Sequence, residues 1–319
     1  MKRLRIVFMG TPAFSVPALE KLHAIHEIVA VYTQPDRPVG RGLEVRFSAV
    51  KEKALAFGIP VHQPEKLTLP GEYEKLAAYA PDALVVVAYG QILRQNVLDL
   101  PTLASVNIHS SLLPRWRGAA PIHHAVLAGD PLTGVTTMKM VKELDAGDIY
   151  EQVETAIGRS ESVGSLHDRL SLLGGDLILS TLAGLSEGRI KGRAQEPALV
   201  TFASKLTKEM ERLDPALSAV ELDRRVRALN PWPGTSFFIE IADKKERIKV
   251  RQTAPHPNFS ASFGKLEERA GMLLLGTSEG ALEILRIQPE GKKEMEPAAF
   301  LNGLRGRGVD LPLQVSSGG

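Results

Sequence analysis

Apolar positions in the first half of the chain form short continuous runs, separated by stretches with helical spacing. Leu4–Met9 is apolar and partly β-branched, then breaks at Gly10-Thr11-Pro12. Ala13–His23 spaces Phe14, Val16, Leu19 and Leu22 as on one helix face. Ile28–Thr33 reads as a second strand. Ser48–Phe57, with Ser48 as its cap, and Glu72–Tyr79 read as helices. Ala83–Ala88 is apolar at every residue, as a strand buried on both faces should be. A short helix over Gln91–Leu98, a strand over Ser105–Ile108, a helix over Pro121–Leu127 and strands over Gly134–Met140 and Tyr150–Thr155 follow. Ser162–Leu185 is a long helical pattern. Alternating strands and helices predict an α/β layer around a mostly parallel sheet.

The periodicity fades between Gly188 and Thr207, where Gly188, Gly192 and Pro197 interrupt it, and this stretch reads as a linker. Beyond it the pattern changes. Ala216–Ala228 is one amphipathic helix. Phe237–Ile241, Arg247–Arg251, Gly271–Gly276 and Ala281–Gln288 are short strands with turn signals between them. The expected organisation is therefore residues 1–187 as an α/β domain, 188–207 as linker, and 208–319 as a small β-rich domain, a barrel. At about 150 residues per domain, a length of 319 agrees with two.

Composition narrows the chemistry. There are no cysteines, which excludes thiolate nucleophiles, iron–sulfur clusters, disulfides and cysteine zinc sites. No run approaches the roughly 18 apolar residues of a spanning helix. The start, MKRLRIVFMG, has too short an apolar stretch for a secretion signal, so the expected location is the cytoplasm. A net charge of +2 argues against a broad basic surface but leaves room for a local basic patch. The first strand ends in GTPAFS rather than G-x-G-x-x-G, so a dinucleotide cofactor is not expected. Neither a Walker-type loop nor a His-x-x-x-His pair occurs, and no metal is expected.

Three clusters remain. Asn107 and His109 lie two apart at the end of a strand, and so on one side of it. Strand ends of open α/β sheets are where ligands bind. A histidine there can act as acid or base and an amide can polarise a carbonyl, although a buried hydrogen-bonded pair would look the same. Asp145 and Asp148 flank Gly147 in a turn, where an Asx turn is the simpler reading. Taken together, Asn, His and Asp form a polariser, base and orienter set. Finally, Gln34–Gly42 is an unusually long loop carrying Arg37 and Arg41, with Arg46 just beyond; it suits a grip on phosphates, although an ordinary solvated loop is the simpler reading.

The stretches GTPAFSVPALE, TQPDRPVGRG, VVVAYGQIL, NIHSSLLPRWRGAAPI, ELDAGD and RALNPWPG occur in this order. From residue 4 to about 305 the chain resembles the folate-dependent formyltransferases, and within them the methionyl-tRNA formyltransferase family. The resemblance implies a Rossmann-like formyltransferase domain followed by a C-terminal barrel related to the OB fold. It implies 10-formyltetrahydrofolate as donor and the α-amino group of initiator methionyl-tRNA as acceptor. The implied catalytic set is Asn107, His109 and Asp145. Folate contacts fall on Ser111, Leu112, Leu113 and Pro114, with Val87, Ala88, Tyr89 and Gly90 forming part of the pterin pocket. The basic loop, with Arg37, Arg41 and Arg46, would meet the tRNA acceptor end. A monomer without metal or membrane contact is expected. The acid turn departs from the family's usual Asp-x-Gly-Leu-Asp-Thr-Gly-Asp, reading Val141-Lys-Glu-Leu-Asp-Ala-Gly-Asp148 here. A sugar-nucleotide N-formyltransferase, a formyltetrahydrofolate hydrolase and a catalytically silent tRNA-binding module are the alternatives. The basic loop speaks against the first, and the three polar residues against the last.

Overall fold

The structure is a computed structural model that describes residues 2–39, 44–241 and 244–316. It divides into two compact units. The first comprises Met1–Pro121, Leu132–Ala156 and His167–Ala203. The second comprises Ile122–Pro131, Ile157–Leu166 and Ser204–Gly319.

In chain order the elements up to the second strand of the sheet are β1 (Arg5–Gly10), α1 (Val16–Ile25) and β2 (Glu27–Tyr32). Two short antiparallel strands follow, β3 (Arg37–Val39) and β4 (Glu44–Arg46). Then come α2 (Ala49–Ala56), β5 (Val61–His62), α3 (Glu72–Ala77), β6 (Ala83–Val87), α4 (Gln95–Leu98), β7 (Ala104–His109) and β8 (Arg117–Gly118). After α5 (Pro121–Ala128) the chain forms β9 (Leu132–Lys139), β10 (Ile149–Ala156), α6 (Val163–Ser186) and β11 (Phe202–Ala203). The main sheet runs in the order β10-β9-β7-β6-β1-β2-β5. From β5 to β7 every pairing is parallel; β9 and β10 add an antiparallel edge.

The chain moves outward from β1 to β2 and β5, then crosses back to β6 on the other side of β1. That reversal makes the carboxyl ends of β1 and β6 the topological switch point, the usual ligand position in such sheets. All five residues of β6 are buried, which explains their uniformly apolar sequence. Ser48 caps α2 by accepting the Lys51 N–H at 3.1 Å.

The second unit contains α7 (Ala219–Ala228) and a closed antiparallel barrel of β12 (Thr235–Ile241), β13 (Lys244–His256), β14 (Lys265–Arg269), β15 (Met272–Gly276), β16 (Ala281–Pro289) and β17 (Leu313–Ser316). Helix α8 (Pro297–Arg305) precedes β17. Phe237, Ile239 and Ile241 are buried at alternate positions of β12, and on β13 the buried Ile248 pairs with Phe237 and the buried Val250 with Thr235. Helix α7 opens with a capping box between Ser218 and Glu221. Its Asp223 is buried, accepting from Arg227 Nε and from Thr253 Oγ1 of β13, both at 2.8 Å.

The differences from the sequence pattern have local causes. Ala13–Ser15 is a single 3-10 turn, and α1 proper begins at Val16 with Pro17 in its first turn. The basic stretch, read as a loop, contains β3 and β4. Strands β14 and β17 lack a clean alternation of their own and form by pairing with each other and with their barrel neighbours. Residues 188–203, read as linker, are tied to the first unit at two places: Arg193 bridges to Ile149, and β11 pairs with β8. No helix among the described residues is long and apolar enough to cross a membrane.

Candidate active site

Asn107 and His109 end β7, which lies between parallel β6 and antiparallel β9. Asn107 sits opposite Val86 and Met138 in register, and His109 opposite Thr136. Two-residue spacing puts both side chains on one face. His109 is buried at 6% exposure, whereas Asn107 is half-buried and its amide makes no hydrogen bond to another described residue.

His109 is held from both ring nitrogens. Its Nε2 donates to the Trp116 carbonyl at 2.9 Å, and its Nδ1 lies 3.6 Å from Asp145 Oδ2. Asp145 sits in the turn between β9 and β10 with φ +50°. Aspartate tolerates this left-handed conformation better than most residues. The same Oδ2 accepts the Gly118 N–H at 2.8 Å. The turn is tight: a Cβ on Gly147 would lie 1.8 Å from the Lys139 carbonyl oxygen. Glycine is therefore required where the acid turn passes the end of β9. The missing second glycine of the family pattern does not prevent Asp145 from reaching His109.

The loop after β7 is held by its own polar groups and by those of β9 and β10. Ser111 is fully buried, and its Oγ donates to the Arg115 carbonyl at 2.6 Å. Thr136 Oγ1 donates to the Ser111 carbonyl at 2.7 Å and accepts the Leu113 N–H at 3.1 Å. Gln152 Nε2 reaches the Leu113 carbonyl at 2.9 Å. Leu113 packs with Met138 and Ile149, and the Leu113–Pro114 peptide is cis. Leu112 and Pro114 are half-buried. Gly134 makes room for Leu112, whose Cδ2 would be 2.6 Å from a Cβ there.

At the end of β6 the four residues Val87–Gly90 divide by exposure. Val87 and Tyr89 are buried, Tyr89 within the core beside Tyr32 and Leu67. Ala88 and Gly90 are exposed, both with positive φ. Val87 and Tyr89 face the interior, and at Ala88 and Gly90 the chain is exposed. Thr11 Oγ1 and Gln34 Nε2 both donate to the Tyr89 carbonyl at 3.1 Å, tying the ends of β1 and β2 to this turn.

Of the basic residues, Arg37 and Arg46 face each other across β3 and β4, and both are exposed. Arg41 lies outside the described residues. The segment is anchored at its base by Asp36, which pairs with Lys51 and accepts from Gln63 Nε2 at 2.8 Å. The hydrogen bond from Lys51, reinforced by that from Gln63, holds the Asp36 carboxyl below its ordinary pKa. Among the described residues no cluster of His, Asp and Glu is arranged to hold a metal ion.

Sequence reasoning passed over Gln195. Gln195, from the stretch read as linker, is 9% exposed and bonds the carbonyls of both Asp145 and Gly147. No periodicity marks it, and only its placement in three dimensions reveals it.

Residues 4–182 match the formyl transferase family, and residues 205–305 match the formyl transferase C-terminal domain. A methionyl-tRNA formyltransferase of Halorhodospira halophila is 46% identical over 310 residues, covering 94% of this chain and 96% of the relative. One from Methylococcus capsulatus is 47% identical over 301 residues, covering 94% and 96%. Among solved structures, an N-formyltransferase from Helicobacter canadensis, in complex with folinic acid and dTDP-3-aminofucose, matches with TM-score 0.65 at 15% identity, over 92% of this chain and 100% of that one. HypX from Aquifex aeolicus, in complex with tetrahydrofolic acid, matches with TM-score 0.63 at 19% identity. That match covers 98% of this chain and 51% of HypX, so the chain spans about half the length of HypX. At these identities the two structures speak for the fold alone. The sequence relatives and both domain matches carry the conclusion: this chain belongs to the formyl transferase family, among the methionyl-tRNA formyltransferases.

Proposed function

We propose that this chain transfers the formyl group of 10-formyltetrahydrofolate to the α-amino group of initiator methionyl-tRNA, for translation initiation. The observation that carries the chemistry is the meeting of Asn107, His109 and Asp145 at the end of β7. The acceptor is argued from the full-length relatives, whose names specify methionyl-tRNA.

The neutral amine attacks the formyl carbon directly, and the carbonyl oxygen gains negative charge as the tetrahedral intermediate forms. The uncommitted Asn107 amide donates a hydrogen bond to that oxygen, and His109 supplies a second donor when its Nε2–H exchanges the Trp116 carbonyl for the substrate oxygen. Donors held in place before reaction stabilise the charge as it develops, without reorganisation. Asp145 orients the His109 ring and helps take the amine proton. The intermediate collapses by expelling the folate nitrogen, which leaves with a proton. Loop 111–114 and the exposed backbone of Ala88 and Gly90 hold the folate. Arg37, Arg41 and Arg46 hold the tRNA acceptor end. Arg37 and Arg46 support this by lying side by side and exposed. Like charges opposite one another in a hairpin repel, and a phosphate between them relieves that repulsion.

One experiment tests the reading. The formyl donor is supplied with charged initiator tRNA, charged elongator tRNA, an amino-sugar nucleotide or no acceptor, and transfer is followed. Formylation of initiator tRNA alone is expected. Transfer to the amino sugar, or release of formate without an acceptor, would replace the reading with one of the alternatives.

A further inference from the structure

We propose that Gln195 is a positioning residue for the transfer reaction, holding Asp145 against His109. The proposal rests on the catalytic reading of Asn107, His109 and Asp145 given above. Gln195 Nε2 donates to the carbonyl of Asp145 and to that of Gly147, each at 2.8 Å. Its Oε1 accepts from Arg117 Nε at 3.0 Å and from Arg117 Nη2 at 2.8 Å. A glutamine amide has two N–H donors and an oxygen with two lone pairs. All four are used, at a residue that is 9% exposed.

The partners of Gln195 define its role. Asp145 is the turn residue in left-handed conformation, so its main chain is the part that sets where the carboxylate points. Arg117 lies between Trp116, whose carbonyl accepts from His109, and Gly118, whose N–H donates to the Asp145 carboxylate. One buried amide thus ties the acid turn to the strand that touches both members of the His–Asp pair. The segment that carries it is itself fixed on either side. Arg193 exchanges hydrogen bonds with Ile149, and Gly192 packs so closely on Asp148 that a Cβ would lie 2.6 Å from the Asp148 Cβ. Further on, Thr201 Oγ1 accepts the Trp116 N–H at 2.9 Å. Residues 192–201 therefore strap the two catalytic loops together. Misplacement of a reacting group by about 1 Å can lower a rate by ~10²-fold.

Gln195→Glu keeps the shape and the Arg117 contact but removes both donors and sets a carboxylate against two carbonyl oxygens. With initiator methionyl-tRNA and 10-formyltetrahydrofolate, kcat is expected to fall by about 10- to 100-fold, with KM for both substrates within about threefold of wild type. The deciding measurement is a cycle with Asp145→Asn. If Gln195 acts through Asp145, the double variant is no slower than Asp145→Asn alone, because residues acting as a unit are not additive. Wild-type kcat for Gln195→Glu, or losses that multiply in the double variant, would overturn the proposal. Gln195→Met, uncharged and of similar length, answers the same question if the glutamate variant does not fold. Wild-type turnover by Asp145→Asn would instead overturn the catalytic reading itself, an outcome distinct from failure at Gln195 alone.

Discussion

Asn107 and His109 differ in how much of their chemistry is committed. His109 has an oxygen near each ring nitrogen, whereas the Asn107 amide has no partner among the described residues. A half-buried amide without such a partner is free to donate to a bound ligand. In the proposed reaction, Asn107 is therefore the clearer donor to the reacting oxygen. Asn107→Ala is expected to lower kcat by about 10²–10³-fold, the usual cost of one oxyanion donor, while the protein stays folded. Steady-state turnover with thermal denaturation as a control checks this, and wild-type turnover would remove Asn107 from the mechanism. At this scale the sequence was informative about residue type and strand position. It was silent about the 3.6 Å between His109 and Asp145, which depends on two loops meeting.

Elements with strong periods of their own were legible: the uniformly apolar β6, the amphipathic α7 and the long α6 all follow from their residues alone. Elements that exist by pairing were not. β5, β8 and β11 are two residues each, and only their neighbours make them strands. The packing of α7 on the barrel likewise depends on a contact that periodicity does not reveal. Asp223 looks like a polar residue on an amphipathic helix, yet it is 5% exposed and joins Arg227 to Thr253. Removing one member of a buried pair strands the other. Asp223→Ala is expected to destabilise the second unit by roughly 3–5 kcal/mol. Denaturant unfolding of the full chain measures this, and a change under about 1 kcal/mol would show the pair to be dispensable.

For the whole molecule, a net charge of +2 across 319 residues says that nucleic acid is gripped locally or not at all. The exposed Arg37 and Arg46, on strands anchored through Asp36, Lys51 and Gln63, are suited to a local grip. A double Arg37→Ala, Arg46→Ala variant is expected to use tRNA less well, with the KM for the folate donor unchanged. Its log(kcat/KM) for tRNA should fall less steeply with log salt, by about 0.7–0.9 for each phosphate no longer neutralised. Slopes parallel to wild type would exclude both arginines as phosphate ligands.

Local pattern by itself determined the α/β and β-rich halves, the buried central strand and the strand end bearing Asn107 and His109. These depend on the spacing of neighbouring side chains, a property written directly in the order of residues. Tertiary structure alone decided that the barrel closes through β14 and β17, that Asp145 turns its carboxylate to Gly118 and His109, and that a supposed linker delivers Gln195 beneath the acid turn. Each of these joins residues far apart in the chain. Its energy depends on where the backbone has been carried by everything between them, which no local period encodes.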